Sequence, residues 1–217
     1  MKVGYTEIIF VIDRSGSMDA IASDIVGGLN ALIKEQREKL VNAICKVSAY
    51  KFDDVYETIF ENQDLATLRV MTLEDFQPRG MTALYDAVGT TIDNVGVRLH
   101  NTPEEERPER VLVVVITDGL NNASVKFTAE QVKEKIQHQT QVYSWDFAYI
   151  GANQDSWTVG GNLGYSQGTT LDYVADSAGV EGMFDKLSKS TLSYRAVQKK
   201  ACFAFEPDAP PANEKVD

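Results

Sequence analysis

The chain has 217 residues, 43% of them hydrophobic, which is enough to bury the core of one large α/β domain or two small ones and excludes a generally disordered chain. Its formal net charge of −11 repels phosphate backbones and anionic lipid, so nucleic-acid and membrane binding are disfavoured and cations or basic partners are favoured. Two distant cysteines, Cys45 and Cys202, make neither a disulfide framework nor a zinc spacing, which points to a reducing compartment.

The opening MKVGYTEIIFVID lacks a charged leader region and a small-residue cleavage site. Its apolar run is too short to span a membrane, so the expected location is the cytoplasm, with virion association as the alternative. Residues 5–12 form a near-continuous apolar run and are expected as a buried parallel strand. From 19 to 40, Ile21, Ile25, Leu29, Leu32 and Ile33 recur at helical spacing. The Gly27-Gly28 pair weakens the middle of that helix and allows close packing on the sheet.

Residues 43–52 alternate and 55–60 read as a second strand; Asp53 and Asp54 between them make an antiparallel hairpin turn. Residues 61–79 are irregular with short helical turns, and 82–99 are a second long helix. A charged, proline-punctuated loop with Glu104, Glu105 and Glu106 leads to 110–117, RVLVVVIT, the strongest buried-strand signal. Further on come a helix over 128–139 with Thr128 as N-cap, a strand over 142–151, a short helix within 153–165 and an extended segment over 169–175. The last helix runs from 177 to 198 with Ser177 as a cap. This alternation predicts one α/β domain over 1–205: a doubly wound, mostly parallel sheet with one antiparallel edge strand, flanked by helices. The acidic, proline-rich stretch 206–217 is expected to be a disordered tail.

Two buried strands end in the same manner, one in Asp13 and the other in Asp118. In open α/β sheets ligands sit beyond the carboxyl ends of strands, so adjacent strands bring both carboxylates to one edge. Two such groups repel and call for a cation. Asp13, Ser15, Ser17 and Asp118 offer only oxygen donors, which favours Mg²⁺, Ca²⁺ or Mn²⁺ over zinc; neutral hydroxyls with only two carboxylates put Mg²⁺ first.

These features resemble a von Willebrand factor A domain with a metal-ion-dependent adhesion site, of the stand-alone bacterial or phage type. The family's Asp-x-Ser-x-Ser motif stands as Asp13-Arg14-Ser15-Gly16-Ser17. Its threonine is matched by Thr82 in RGMTALYDAV and its second aspartate by Asp118 in VVVITDG. The resemblance implies a Rossmann-like fold and a metal held by Asp13, Ser15, Ser17, Thr82 and Asp118, with a coordination position left for a carboxylate of a partner protein. Met81 departs from the family's usual glycine pair before the threonine, and it could shape the partner-facing rim.

The implied function is a metal-dependent protein–protein interaction module, not an enzyme, recruiting an Asp or Glu of another protein. The alternative is a structural or assembly component, for example of a virion or a stress-response complex, with incidental metal. A Mg²⁺-dependent hydrolase is the third reading; it wants a second acid two residues after Asp13, where Ser15 stands, and a strand-end lysine. A serine hydrolase would need Gly-x-Ser-x-Gly, which RSGSM is not. Plainer roles exist for several residues. Ser17 or Asp19 could cap the first helix and Thr82 the second; Asn121 and Asn122 read as turn residues, with a place flanking the metal face as the alternative; His100 and His138 read as solvated positions near helix ends.

Overall fold

The computed structural model describes residues 1–39, 43–196 and 202–207. Most of the expected tail, 208–217, the end of the first predicted helix at 40 and the last two residues of the final one, 197 and 198, lie outside that set.

Six strands form one sheet in the order β3-β2-β1-β4-β5-β6. Strands β1 (Lys2–Asp13), β2 (Cys45–Phe52), β4 (Pro108–Thr117), β5 (Asp146–Ala152) and β6 (Thr170–Tyr173) run parallel. Strand β3 (Tyr56–Asp64) closes one edge antiparallel to β2, as the hairpin signal predicts. This is the expected doubly wound α/β class. The apolar runs of β1 and β4 are unbroken because both faces are covered. Ile8, Phe10 and Ile12 of β1, with Leu112, Val114 and Ile116 of β4, join the core beneath helices α1 (Ala22–Lys39) and α6 (Ser177–Ala196). Ile9 and Val11, with Val111, Val113 and Val115, join the core beneath α3 (Leu84–Asn101) and α4 (Ala129–Tyr143). Gly28 of α1 allows close packing against helix α6 rather than the expected sheet, because a Cβ there would stand 2.1 Å from the Phe184 ring.

Several boundaries move, each for a local reason. Residues 142 and 143, expected as strand, finish α4, which stops only where Ser144 takes a left-handed conformation at φ 56°. Valine and tyrosine favour strands, but here the helical hydrogen bonds continue through them. Short helices α2 (Leu73–Phe76) and α5 (Ser156–Asn162) occupy the stretches expected to hold helical turns. Thr128 caps α4 as predicted, in a capping box with Gln131. Helix α6 is capped not by Ser177 but by Asp176, whose carboxylate accepts the Gly179 N–H at 2.7 Å; the Ser177 hydroxyl instead donates to Asp24 at 2.8 Å. Between β1 and α1 the chain makes a 3₁₀ turn over Gly16–Ile21 in which neither Ser17 nor Asp19 is the cap. Glu206 is tied to α6 through its N–H and the Ser190 hydroxyl at 3.0 Å. Among the described residues, no helix is long and apolar enough to cross a membrane.

Candidate metal centre

The parallel register pairs Ile12 of β1 with Ile116 of β4, so Asp13 ends one strand beside Thr117 and Asp118 follows one step beyond. Immediately after Asp13 the chain doubles back. The Asp13 carboxylate accepts the Ser15 N–H at 2.7 Å, a turn that aspartate favours because its short side chain can mimic a backbone carbonyl. That turn sets the Ser15 and Ser17 hydroxyls 3.2 Å apart, and Ser17 donates to Asp118 at 2.8 Å.

Thr82 enters from the other side. It is not the cap of α3; that helix starts at Leu84 with Ala83 at the capping position and no side-chain cap bond. The Thr82 hydroxyl is therefore free for other work. It points at Gly119, where an added Cβ would lie 3.3 Å from its oxygen. All five residues singled out in the sequence thus converge at the carboxyl edge of the sheet. Asp13, Ser15 and Thr82 are buried, Asp118 is half-buried and Ser17 is exposed.

The electrostatics of the cluster are unbalanced. Burial pushes the Asp13 carboxyl up to about 6, and the Asp118 charge adds to the rise; hydrogen bonds from Thr117 and Ser15 oppose it. Arg14, the basic side chain inside the motif, does not neutralise this pair. Its guanidinium turns away to Asp53 at 3.2 Å and to Glu57, and only 2% of it is exposed. The buried Tyr173 hydroxyl has no hydrogen-bond partner, although the charges of Asp118 and Asp13 reach it and help burial hold it protonated. Two carboxylates and three hydroxyls fit a small hard cation whose shell is completed by further oxygen ligands. Among the described residues no three His, Cys, Asp or Glu side chains gather as a metal-binding group. His100 and His138 line a groove at the opposite, amino-terminal end of β4.

Sequence reasoning missed four residues that shape the site. Thr117 donates its hydroxyl to Asp13 at 2.6 Å. Asn122, read first as a turn residue and alternatively as a flank of the metal face, has a more specific role that the sequence did not show, gripping Thr82: its side chain accepts the Thr82 N–H at 2.8 Å and its own N–H donates to the Thr82 carbonyl at 3.0 Å. Asp53 and Arg14 make a buried ion pair beneath the loops. Only Thr117 carried a legible signal, a hydroxyl residue adjoining the second aspartate on a strand end. The other three act through contacts with other loops, 26 or more residues away in the chain.

No family model matches the sequence, and no curated protein matches it. Solved structures do match. The von Willebrand domain of Mfa5, the type V pilus tip protein of Porphyromonas gingivalis, superposes with a TM-score of 0.65 at 11% identity, over 93% of this chain and 99% of that one. Proximal thread matrix protein 1 of the mussel byssus superposes with a TM-score of 0.62 at 16% identity over 88% of this chain. A structure of the mussel protein with a zinc-occupied metal-ion-dependent adhesion site matches with a TM-score of 0.56, also at 16% identity, over 88% of this chain and 46% of that one. The chain spans about half of the mussel protein, 47% of its length in the first of these matches. At such identities the likeness is one of fold, and the fold is that of a von Willebrand A-type domain.

Proposed function

We propose that this von Willebrand A-type domain is a divalent-cation-dependent protein-interaction module. Asp13, Ser15, Ser17, Thr82 and Asp118 would hold the cation, with Mg²⁺ first and Mn²⁺ or Ca²⁺ as alternatives. When bound, the cation supplies a positive centre able to accept a carboxylate oxygen from an Asp or Glu of a partner protein. The observation that carries this reading is the convergence of five oxygen-donor residues around the buried, electrostatically unbalanced Asp13. The zinc-occupied adhesion site of the mussel protein supports a divalent ion at this place in the fold.

The chain's own residues divide the work. Asp13 and Asp118 supply charge, and Ser17 links the 3₁₀ turn to the end of β4. Thr117 and the Ser15 N–H keep the Asp13 carboxylate oriented and ionised. Ser17, Met81 and Leu120 stand exposed at the rim, where an incoming partner would meet them. The module performs no turnover: its two motif serines have no histidine base nearby, and the position two after Asp13 is a serine rather than an acid. Its partner is a protein, not nucleic acid or a membrane. The cytoplasm is its proposed location, supported by two free cysteines, Cys45 and Cys202.

The test is thermal unfolding of chelator-stripped protein during titration with Mg²⁺, Mn²⁺ and Ca²⁺, with Asp13→Ala as control. A ligand bound only by the folded state at a hundredfold excess over its Kd stabilises by about 2.7 kcal/mol. For a chain of this size that raises the midpoint by about 6 °C. The wild type should respond and Asp13→Ala should not. A response of equal size in both proteins would place the ion elsewhere and refute the assignment.

A further inference from the structure

Beneath the loops that carry Ser15, Ser17 and Thr82 lies a buried ion cluster centred on Asp53, whose side chain is fully buried. Asp53 sits at the turn of the β2–β3 hairpin and makes that turn, accepting the Val55 N–H at 2.5 Å. Its other carboxylate oxygen lies 3.2 Å from Arg14 Nε and accepts from Arg79 Nε at 2.9 Å. Arg14 also pairs with Glu57 of β3, and Arg79 approaches the same Glu57 at 3.6 Å.

The backbone follows the side chains. The Arg14 N–H donates to the Phe52 carbonyl at 2.8 Å, and the Arg14 carbonyl accepts from the Arg79 N–H at 2.7 Å. Gly16 N–H reaches the Gly80 carbonyl at 3.2 Å, and the Asp53 carbonyl accepts from Ala83 N–H at 2.9 Å. Gly80 is required here: its φ is +69°, and a Cβ would lie 2.2 Å from an Asp54 carboxylate oxygen. The segment before Thr82 is therefore zipped to the segment before Ser17, and both rest on Asp53.

We propose that Asp53, acting with Arg14 and Arg79, is the positioning hub of the metal site, holding the Ser15–Ser17 turn and Thr82 at the fixed separation that a small cation demands. The inference rests on the metal-site reading above and adds residues that reach no ligand themselves. A fully buried carboxylate held from two other loops is stiff, because Arg14 is buried with it and separating that pair would strand two opposite charges away from water, while Arg79 ties in the second loop from the surface. Such a support matters most for Mg²⁺, which tolerates little deviation from octahedral geometry, and less for Ca²⁺, whose shell is larger and more flexible. The hub thus tunes ion choice as well as affinity.

Calorimetric titration of chelator-stripped wild type, Asp53→Asn and Arg79→Ala with Mg²⁺ and with Ca²⁺ tests this. Loss of an outer-shell support costs about 10–100-fold in metal affinity. Asp53→Asn should lose about that much for Mg²⁺ and distinctly less for Ca²⁺, so the Mg²⁺/Ca²⁺ preference falls. Arg79→Ala should shift the same way by a smaller factor; its side chain is 57% exposed, so this variant carries the test if Asp53→Asn does not fold. Lower thermal stability with unchanged Mg²⁺ affinity and unchanged ion preference in the folded variants would overturn the positioning role and leave the cluster as a structural support only. A wild type that binds neither ion overturns the underlying site reading and this inference with it, an outcome distinct from wild-type binding that the variants leave unaltered.

Discussion

Asp86, the third residue of α3, offers a sharp test of how the loop after β4 is built. Its carboxylate accepts three consecutive backbone N–H groups, Val125 at 2.9 Å, Lys126 at 2.9 Å and Phe127 at 2.8 Å. The same loop carries Asn121 and Asn122, which reach Tyr85 and Thr82. Asp86→Ala removes all three hydrogen bonds at once. A hydrogen bond to a charged group contributes about 1.5–3 kcal/mol when shielded, but these amides lie near solvent and water recovers part of the loss. The favourable interaction of a carboxylate with the helix N-terminus, about 0.3–1 kcal/mol, goes with it. The sum is a destabilisation of about 2–4 kcal/mol, or about 4–9 °C in midpoint for a domain of this length. Two measurements check it: thermal unfolding by circular dichroism, and amide hydrogen exchange over residues 119–127. Exchange at 125–127 should accelerate strongly in Asp86→Ala and partly in Asp86→Asn, which keeps one acceptor oxygen. Unchanged exchange at those three amides would show that the carboxylate does not fold the loop, and the reasoning would fail whatever the midpoint did.

Two further outcomes follow from the same structure. Thr117→Val keeps the volume of a fully buried side chain but removes the donor to Asp13, so the carboxyl should rise further and cation affinity should fall about tenfold by calorimetric titration; an affinity within twofold of wild type would deny Thr117 its orienting role. Asp75 is held well below the usual carboxylate range, first by the Arg69 guanidinium and then by Thr72, so it contributes stability that is fully present above that range and is lost as pH falls from it down through the depressed folded value. The pair faces solvent, which limits its worth to about 1 kcal/mol. Asp75→Asn should therefore lower the urea midpoint more at pH 7 than at pH 2, where part of the contribution has gone; an equal loss at both would refute the ionic contribution.

Much of this molecule is legible in the sequence because its strongest signals are local. A short unbroken apolar run rich in Ile and Val and ended by turn residues reads as a strand covered on both faces, and β1 and β4 are that. A carboxylate directly after such a run must lie at the sheet's carboxyl edge, so Asp13 and Asp118 could be placed together before any contact was known. The alternation of hydroxyls after Asp13 then identified Ser15 and Ser17, and the resemblance supplied Thr82.

What the sequence could not decide are the pairings made across the fold. Whether Thr82 caps α3 or faces Gly119 depends on where the helix begins, and that is settled by Asn122, forty residues away, gripping its backbone. Asp53 reads as an ordinary turn residue because its partners Arg14 and Arg79 come from other loops. Val142 and Tyr143 read as strand because propensity is a local average, while the α4 hydrogen bonds run on through them until Ser144 takes a left-handed conformation. Residue types and short spacings fix the donors and the edge on which they stand; only the packed chain fixes which loop holds which, since a hydrogen bond between distant segments leaves no periodicity in either.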